Sequence, residues 1–121
     1  MPRILFVDDD SVTLELMGQA AQLLGHQAIL ARTGTDALVK AGEQNPGVIF
    51  LDLMMPDMDG LQVLGHLRKD ERTKLIPVIV LSAGASLDDA IVCQAAGAQD
   101  YLTKPVQLQT LMDTIKKYTS S

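Results

Sequence analysis

Short apolar runs rich in β-formers alternate five times with amphipathic stretches, and this rhythm leaves few folds open to the chain. Ile4-Leu5-Phe6-Val7 is the first such run and reads as a buried strand. Residues 11–24 predict a helix with Thr13, Leu16, Met17, Ala20, Ala21 and Leu24 on one face, stopped by Gly25. Residues 27–31 form a weaker strand, 35–43 a short helix closed by Asn45-Pro46-Gly47, and 48–51 a third strand. A helix over 60–69 carries Leu61, Leu64 and Leu67 on one side, and a fourth strand covers 77–81. A helix over 85–96 is stopped by Gly97, a short fifth strand is centred on Tyr101-Leu102, and Leu108, Leu111, Met112 and Ile115 mark one face of a last helix. Five such units in 121 residues predict one α/β domain over residues 1–121, with no output domain. The expected architecture is a doubly wound five-stranded parallel sheet of order 2-1-3-4-5, a (βα)5 three-layer sandwich, because its crossovers are right-handed.

Composition narrows the function classes. Hydrophobic residues make up 47% of the chain and aromatic ones 3%, so the core is aliphatic. The net charge of −5, without a basic stripe, speaks against direct nucleic-acid binding. The sole cysteine, Cys93, has no intramolecular disulfide partner and suits a reducing compartment. No apolar run reaches the length of a membrane span, and Met1 to Val7 runs into three acids unlike a signal peptide. The expectation is a cytoplasmic protein that does not engage membranes.

In a doubly wound sheet, sites form beyond the carboxyl ends of the strands where strand order reverses. The residues there are Asp8, Asp9 and Asp10 after the first strand, Asp52 after the third, Ser82 after the fourth, and Lys104 followed by Pro105 after the fifth. Carboxylates gathered at one edge repel one another unless a cation lies among them, and Mg²⁺ suits a set of one or two carboxylates plus a phosphate oxygen. A carboxylate can attack phosphorus to give an aspartyl phosphate. Lys104 and Ser82 are then candidates to contact the phosphoryl group, the one as ammonium and the other as hydroxyl donor.

Four segments, in order and after the right strands, make the resemblance specific: Asp8-Asp9; Leu51-Asp52-Leu53-Met54-Met55-Pro56-Asp57-Met58-Asp59-Gly60; Leu81-Ser82-Ala83; and Asp100-Tyr101-Leu102-Thr103-Lys104-Pro105. From end to end the chain resembles a receiver domain of the two-component response regulators, on the flavodoxin-like fold of the chemotaxis-type receivers. The resemblance implies that Asp52 accepts the phosphoryl group from a histidine kinase or phosphotransfer protein. It implies Mg²⁺ held by Asp9 and Asp52, by Asp8 directly or through water, and by the backbone carbonyl of Met54. Ser82 and Lys104 contact the phosphoryl group, the bond before Pro105 is cis, and Tyr101 is the switch aromatic. The surface of the fourth helix, fifth strand and fifth helix would then change for a downstream protein, a fused output domain or a second copy of the chain. Such a domain catalyses only its own phosphorylation and dephosphorylation. Val106 departs from the family's frequent Phe. Met54 and Gly84 are uncharged at positions where the family tunes phosphoryl lifetime.

Other residues have plainer readings. Asp10 is read as a helix cap, and Asp57 and Asp59 as turn residues before Gly60. Asp88 and Asp89 suit the first turn of a helix, Cys93 is read as a small core residue, and Met54, Met55 and Met58 as loop filling. His26 and His66 lack a companion at ligand spacing. Two rival functions use the same parts. Asp8-Asp9-Asp10-Ser11-Val12 also resembles the opening of haloacid-dehalogenase-type phosphatases, with Asp8 as nucleophile, although that family needs a flap before its first helix and a longer core. An unphosphorylated pseudo-receiver used for docking is the other, although the full residue set is kept. A flavin site is disfavoured by the acidic first loop. The cognate kinase, stimulus, output partner, phosphoryl lifetime and oligomeric state are not legible, nor is whether the chain stands alone or comes from a longer regulator.

Overall fold

Strand and helix alternate along the chain: β1 (Ile4–Val7), α1 (Ser11–Leu23), β2 (Ala28–Ala31), α2 (Gly34–Gln44), β3 (Val48–Asp52), α3 (Gly60–Lys69), β4 (Val78–Ser82), α4 (Leu87–Ala95), β5 (Asp100–Thr103) and α5 (Leu108–Thr119). The computed structural model describes residues 2–83 and 87–119, and of 87–89 the backbone alone. The expected start of α4 at 85 and 86 therefore lies outside the described residues, as do Gly84 and the side chains of Asp88 and Asp89. The five strands form one parallel sheet in the order β2-β1-β3-β4-β5, the expected doubly wound topology. The Lys104–Pro105 bond is cis, as the resemblance implies.

Every residue of β1, β3 and β4 is buried, which explains why these strands read as unbroken apolar runs. Successive side chains point to opposite faces and divide the core in two. Leu5, Val7, Ile49, Leu51, Val78 and Val80 pack with Ala37 and Ala41 of α2, Val63, Leu64 and Leu67 of α3, and Cys93 of α4. Ile4, Phe6, Val48, Phe50, Ile79 and Leu81 pack on the other face with Leu14, Met17, Ala20 and Ala21 of α1 and with Leu111 and Ile115 of α5. Phe6 and Phe50 stack there with ring centroids 5.2 Å apart.

Two helix faces differ from the expectation. Leu16 is 60% exposed, whereas Leu14 is 2% exposed and packs in the core. On α5, Leu108 is exposed and Thr114 is buried beside Leu111 and Ile115. Spacings of three and four residues fit either of two neighbouring helical stripes, and the angle at which the helix meets the sheet selects one. The remaining boundaries shift by a residue or two, as helix and strand ends do.

Helix ends carry their own signals. Thr33 caps α2 by accepting from the Asp36 N–H at 3.0 Å, and Asn45 closes it in the left-handed conformation. Asp59 and Gln62 form a reciprocal capping box at the start of α3, so the expected turn acid is also a cap. Asp10 occupies the cap position of α1, but its carboxylate accepts from the Thr13 hydroxyl at 2.6 Å and not from a helix amide.

Far from the carboxyl edge, Arg68 gathers several backbone carbonyls. Its guanidinium donates to the carbonyl of Gly97 at 2.8 and 3.1 Å, of Ile76 at 2.9 Å and of Lys74 at 3.2 Å, and to Gln99 Oε1 at 3.0 Å. It thereby ties the α3–β4 and α4–β5 connections together. Gly97, at φ +110, lies so close that a Cβ there would be 2.8 Å from Arg68 Nε. Partial burial pulls the guanidinium below its usual value. Truncation by Arg68→Ala strips these carbonyls of their donors and is expected to cost about 2 kcal/mol, read by urea unfolding. A midpoint unchanged from wild type would show that water replaces the guanidinium at no cost.

Candidate acidic phosphoacceptor site

Register brings the two central acids together. β1 and β3 pair with Val7 opposite Leu51, so one further step sets Asp8 beside Asp52. Both are withdrawn from solvent, Asp8 at 0% and Asp52 at 4% exposure. Asp9, one residue on, is exposed at the rim. Oxygens from Asp8, Asp9 and Asp52 lie within 4.8 Å of one another.

β4 and β5 supply the other side. Ser82 is buried at the end of β4, opposite Thr103 of β5, and its carbonyl accepts from the Lys104 N–H at 2.7 Å. Lys104 reaches back across the edge: its Nζ donates to Asp8 Oδ2 at 2.6 Å and lies 3.3 Å from Asp52 Oδ2. The second oxygen of Asp8 accepts from the Asp10 N–H at 2.9 Å, and Asp52 Oδ1 accepts from the Met54 N–H at 3.2 Å. Tyr101 is half-buried, opposite Val80, and packs against the core layer shared with α4. The structure thus brings Asp8, Asp9, Asp52 and Lys104 into one cluster with Ser82 beside it, and sets Tyr101 on the neighbouring strand.

The electrostatics follow from this crowding. Burial pushes the Asp52 carboxyl above its ordinary 3.8; the Met54 N–H opposes that, the Asp8 charge adds to it, and Lys104 opposes it again. For Lys104, burial pulls the ammonium down, but the hydrogen bond to Asp8 and the charges of Asp52 and Asp8 outweigh it and hold it above the usual lysine value. Between 3.8 and the raised value, folded Asp52 keeps its proton more often than the unfolded chain does. Its contribution to stability therefore declines as pH rises through that window. Asp52→Asn is accordingly expected to raise the thermal midpoint of the metal-free protein at neutral pH. A lowered midpoint would mean that the attraction to Lys104 outweighs the desolvation of Asp52.

Among the described residues, one ammonium, paired with Asp8 and Asp52, stands beside the three carboxylates of the cluster, which leaves it negative. Hard oxygen donors this close, with one of them at the solvent rim, fit an oxygen-seeking divalent cation such as Mg²⁺. Grooves among the described residues lie between α2 and α3 beside Leu38, His66 and Arg72, and along β2.

The other singled-out residues stay outside the cluster. His26 is buried with Nδ1 3.2 Å from the Pro2 carbonyl, His66 is exposed, and Cys93 is buried in the core. Sequence reasoning missed the reach of Asp57. Its carboxylate accepts from the Gly34 N–H at 2.9 Å, the Thr35 N–H at 3.0 Å and the Thr35 hydroxyl at 2.9 Å, at the start of α2. No local pattern signals a bond between residues 22 positions apart.

This fold with this acidic edge defines a receiver. The model of the response regulator receiver domain matches residues 4–116, and the chain belongs to that family. It is 37% identical over 115 residues to the protein PilH of Pseudomonas aeruginosa, covering 95% of each chain. It is 38% identical over 116 residues to the DNA-binding dual master transcriptional regulator RpaA of Synechocystis, covering 96% of this chain but 48% of that regulator. Among solved structures, the chemotaxis protein CheY4 of Vibrio cholerae superposes with a TM-score of 0.92 at 29% identity, covering 98% of each chain. The phosphatase alternative is not favoured: three residues separate β1 from α1, which leaves no room for a flap. No helix among the described residues is long and apolar enough to cross a membrane.

Proposed function

We propose that residues 1–121 act as one phosphoacceptor receiver domain, with Asp52 as the residue that takes the phosphoryl group. The observation that carries this reading is the meeting of Asp52 with Asp8, Asp9 and Lys104 at the carboxyl edge of the sheet. Asp8, Asp9, Asp52 and the Met54 carbonyl would hold Mg²⁺, which when bound neutralises negative charge on the transferring phosphoryl group. Asp52 presents one carboxylate oxygen to phosphorus. The O–P bond forms as the bond to the donor's histidine nitrogen breaks, so the chain's contribution is position and charge. Lys104 exchanges part of its hold on Asp8 for a phosphoryl oxygen, and the Ser82 hydroxyl donates to another.

The output follows from the same contacts. The new group carries roughly −1.5 to −2 charges and draws Ser82 and Lys104 toward it. Lys104 adjoins β5 and its N–H is bonded to the Ser82 carbonyl, so a shift at one is felt at the other and at Tyr101. Tyr101 turning inward would reshape the face of α4, β5 and α5. That face would engage a downstream protein, a fused output domain or a second copy of the chain. The donor would be a sensor histidine kinase or phosphotransfer protein in the cytoplasm, and the chain itself would not grip nucleic acid or membrane.

The test is intact-protein mass spectrometry with acetyl phosphate, with Mg²⁺ or with EDTA. One acid-stable, base-labile phosphoryl adduct that requires Mg²⁺ is expected. Neither adduct nor Mg²⁺ binding would leave a docking module in place of a receiver.

A further inference from the structure

The segment between β3 and α3 is a seven-residue loop closed at its neck, where the Gly60 N–H donates to the Leu53 carbonyl at 2.7 Å. Beyond the neck it has two different limbs. The first carries Met54, whose N–H is spent on Asp52 Oδ1. The second carries Asp57, and among the described residues the hydrogen bonds that tie the loop's tip to another element all run through its carboxylate. Apolar contacts follow the same line. Leu53, Met55 and Met58 pack on the core layer under α2, and Gly34 is bare enough to let Met58 against the helix start.

Resting on the receiver reading above, we infer that Asp57 is a positioning residue for the metal-binding limb of the site. By clamping the loop's tip to the first turn of α2, it keeps the Met54 carbonyl over the Asp8–Asp52 edge. Its three hydrogen bonds come from Gly34 and Thr35, and two of them from helix amides that have no partner within α2. A carboxylate suits that place because the helix start is electropositive. The Gly34 N–H first, and then that of Thr35, hold the Asp57 carboxyl down at about 2, so it stays charged wherever the domain works. Released from this anchor, the loop would pivot about the Leu53–Gly60 neck and the Met54 carbonyl would lose its fixed direction. Supporting residues around a metal site commonly change its affinity by 10- to 100-fold without touching the ion.

The experiment compares wild type, Asp57→Ala and Asp57→Asn. Mg²⁺ affinity is measured by calorimetry, amide exchange at Met54, Gly34 and Thr35 in metal-free protein, and the acetyl phosphate rate across a Mg²⁺ series. Asp57→Ala should weaken Mg²⁺ about tenfold, speed exchange at all three amides, and leave the rate at saturating Mg²⁺ close to wild type. Asp57→Asn keeps one acceptor oxygen and should fall between. Faster exchange at Gly34 and Thr35 with Met54 and Mg²⁺ affinity unchanged would make Asp57 a helix cap and overturn the inference. If Asp57→Ala does not fold, Asp57→Asn decides by the same Mg²⁺ measurement, with unchanged affinity again overturning it. Wild type that binds no Mg²⁺ would instead strike down the receiver reading, and this inference with it.

Discussion

Asp52→Asn should take up no phosphoryl group from acetyl phosphate in Mg²⁺, whereas wild type should take up one. The substitution keeps the shape of the side chain and its acceptor for the Met54 N–H, so the loop stays in place. What it removes is the anionic oxygen that, on the proposed reading, would attack phosphorus, and an amide has no comparable nucleophile. The control is Asp8→Asn. Asp8 is the more deeply buried acid and the closer partner of Lys104, at 2.6 Å against 3.3 Å for Asp52. Removing its charge should slow the adduct by weakening Mg²⁺ without forbidding it. Peptide mapping that placed the phosphoryl group on Asp8, with turnover to free phosphate, would reverse the roles of the two acids. The same pair gives a stability readout, since Mg²⁺ should raise the thermal midpoint of wild type more than that of Asp52→Asn.

Gly60→Ala should be the most damaging small substitution near the site. A Cβ at Gly60 would lie 2.7 Å from Leu53 Cα and 2.8 Å from the Asp52 carbonyl oxygen. Both are backbone atoms at or beside Asp52, so no side-chain rotation makes room. The start of α3 must lift, which endangers the Gly60–Leu53 hydrogen bond and drags the end of β3. Overpacking of this kind costs about 2 to 3 kcal/mol, or about 10 °C in thermal midpoint for a domain of this size. Mg²⁺ affinity should fall as well, because Asp52 moves. Gly65→Ala is the matched control: it lies in the same helix, has nothing within 4 Å of its would-be Cβ, and should be neutral to stabilising by helix propensity. Equal midpoints for the two variants would refute the close-approach argument.

Much of the site could be read before the fold because its residues follow strands, and strands announce themselves. Ile4–Val7 and residues 48–51 and 78–81 are apolar because both faces of the sheet are covered, and the first polar residue after each run marks the edge where the candidate site lies. Asp8, Asp52 and Ser82 were found in that way, and Lys104 by its place after the fifth strand and before Pro105. Helix limits were legible where a local signal was read, as with Asn45 after α2 and Gly97 after α4, whereas Asp59 was read as a turn residue and also caps α3. The buried stripe of α1 was not, because Leu14 and Leu16 satisfy helical spacing equally well and only docking on the sheet separates them.

The remaining features have no local signal at all. Asp57 looks like an ordinary turn acid until the loop lies against α2, and Arg68 looks like a surface arginine until two connections place their carbonyls around it. The amino-acid sequence by itself determined the strand–helix rhythm, the parallel sheet and the list of acids, hydroxyl and amine that end the strands. These depend on periodicity and on neighbours a few residues away, which the chain writes down directly. Only the tertiary structure decided which of them meet: that Asp8 rather than Asp52 is the nearer partner of Lys104, 96 residues away, and that Asp9 is left at the rim. Such contacts are set by strand register and by how far a long side chain reaches across the sheet edge, and chain order encodes neither.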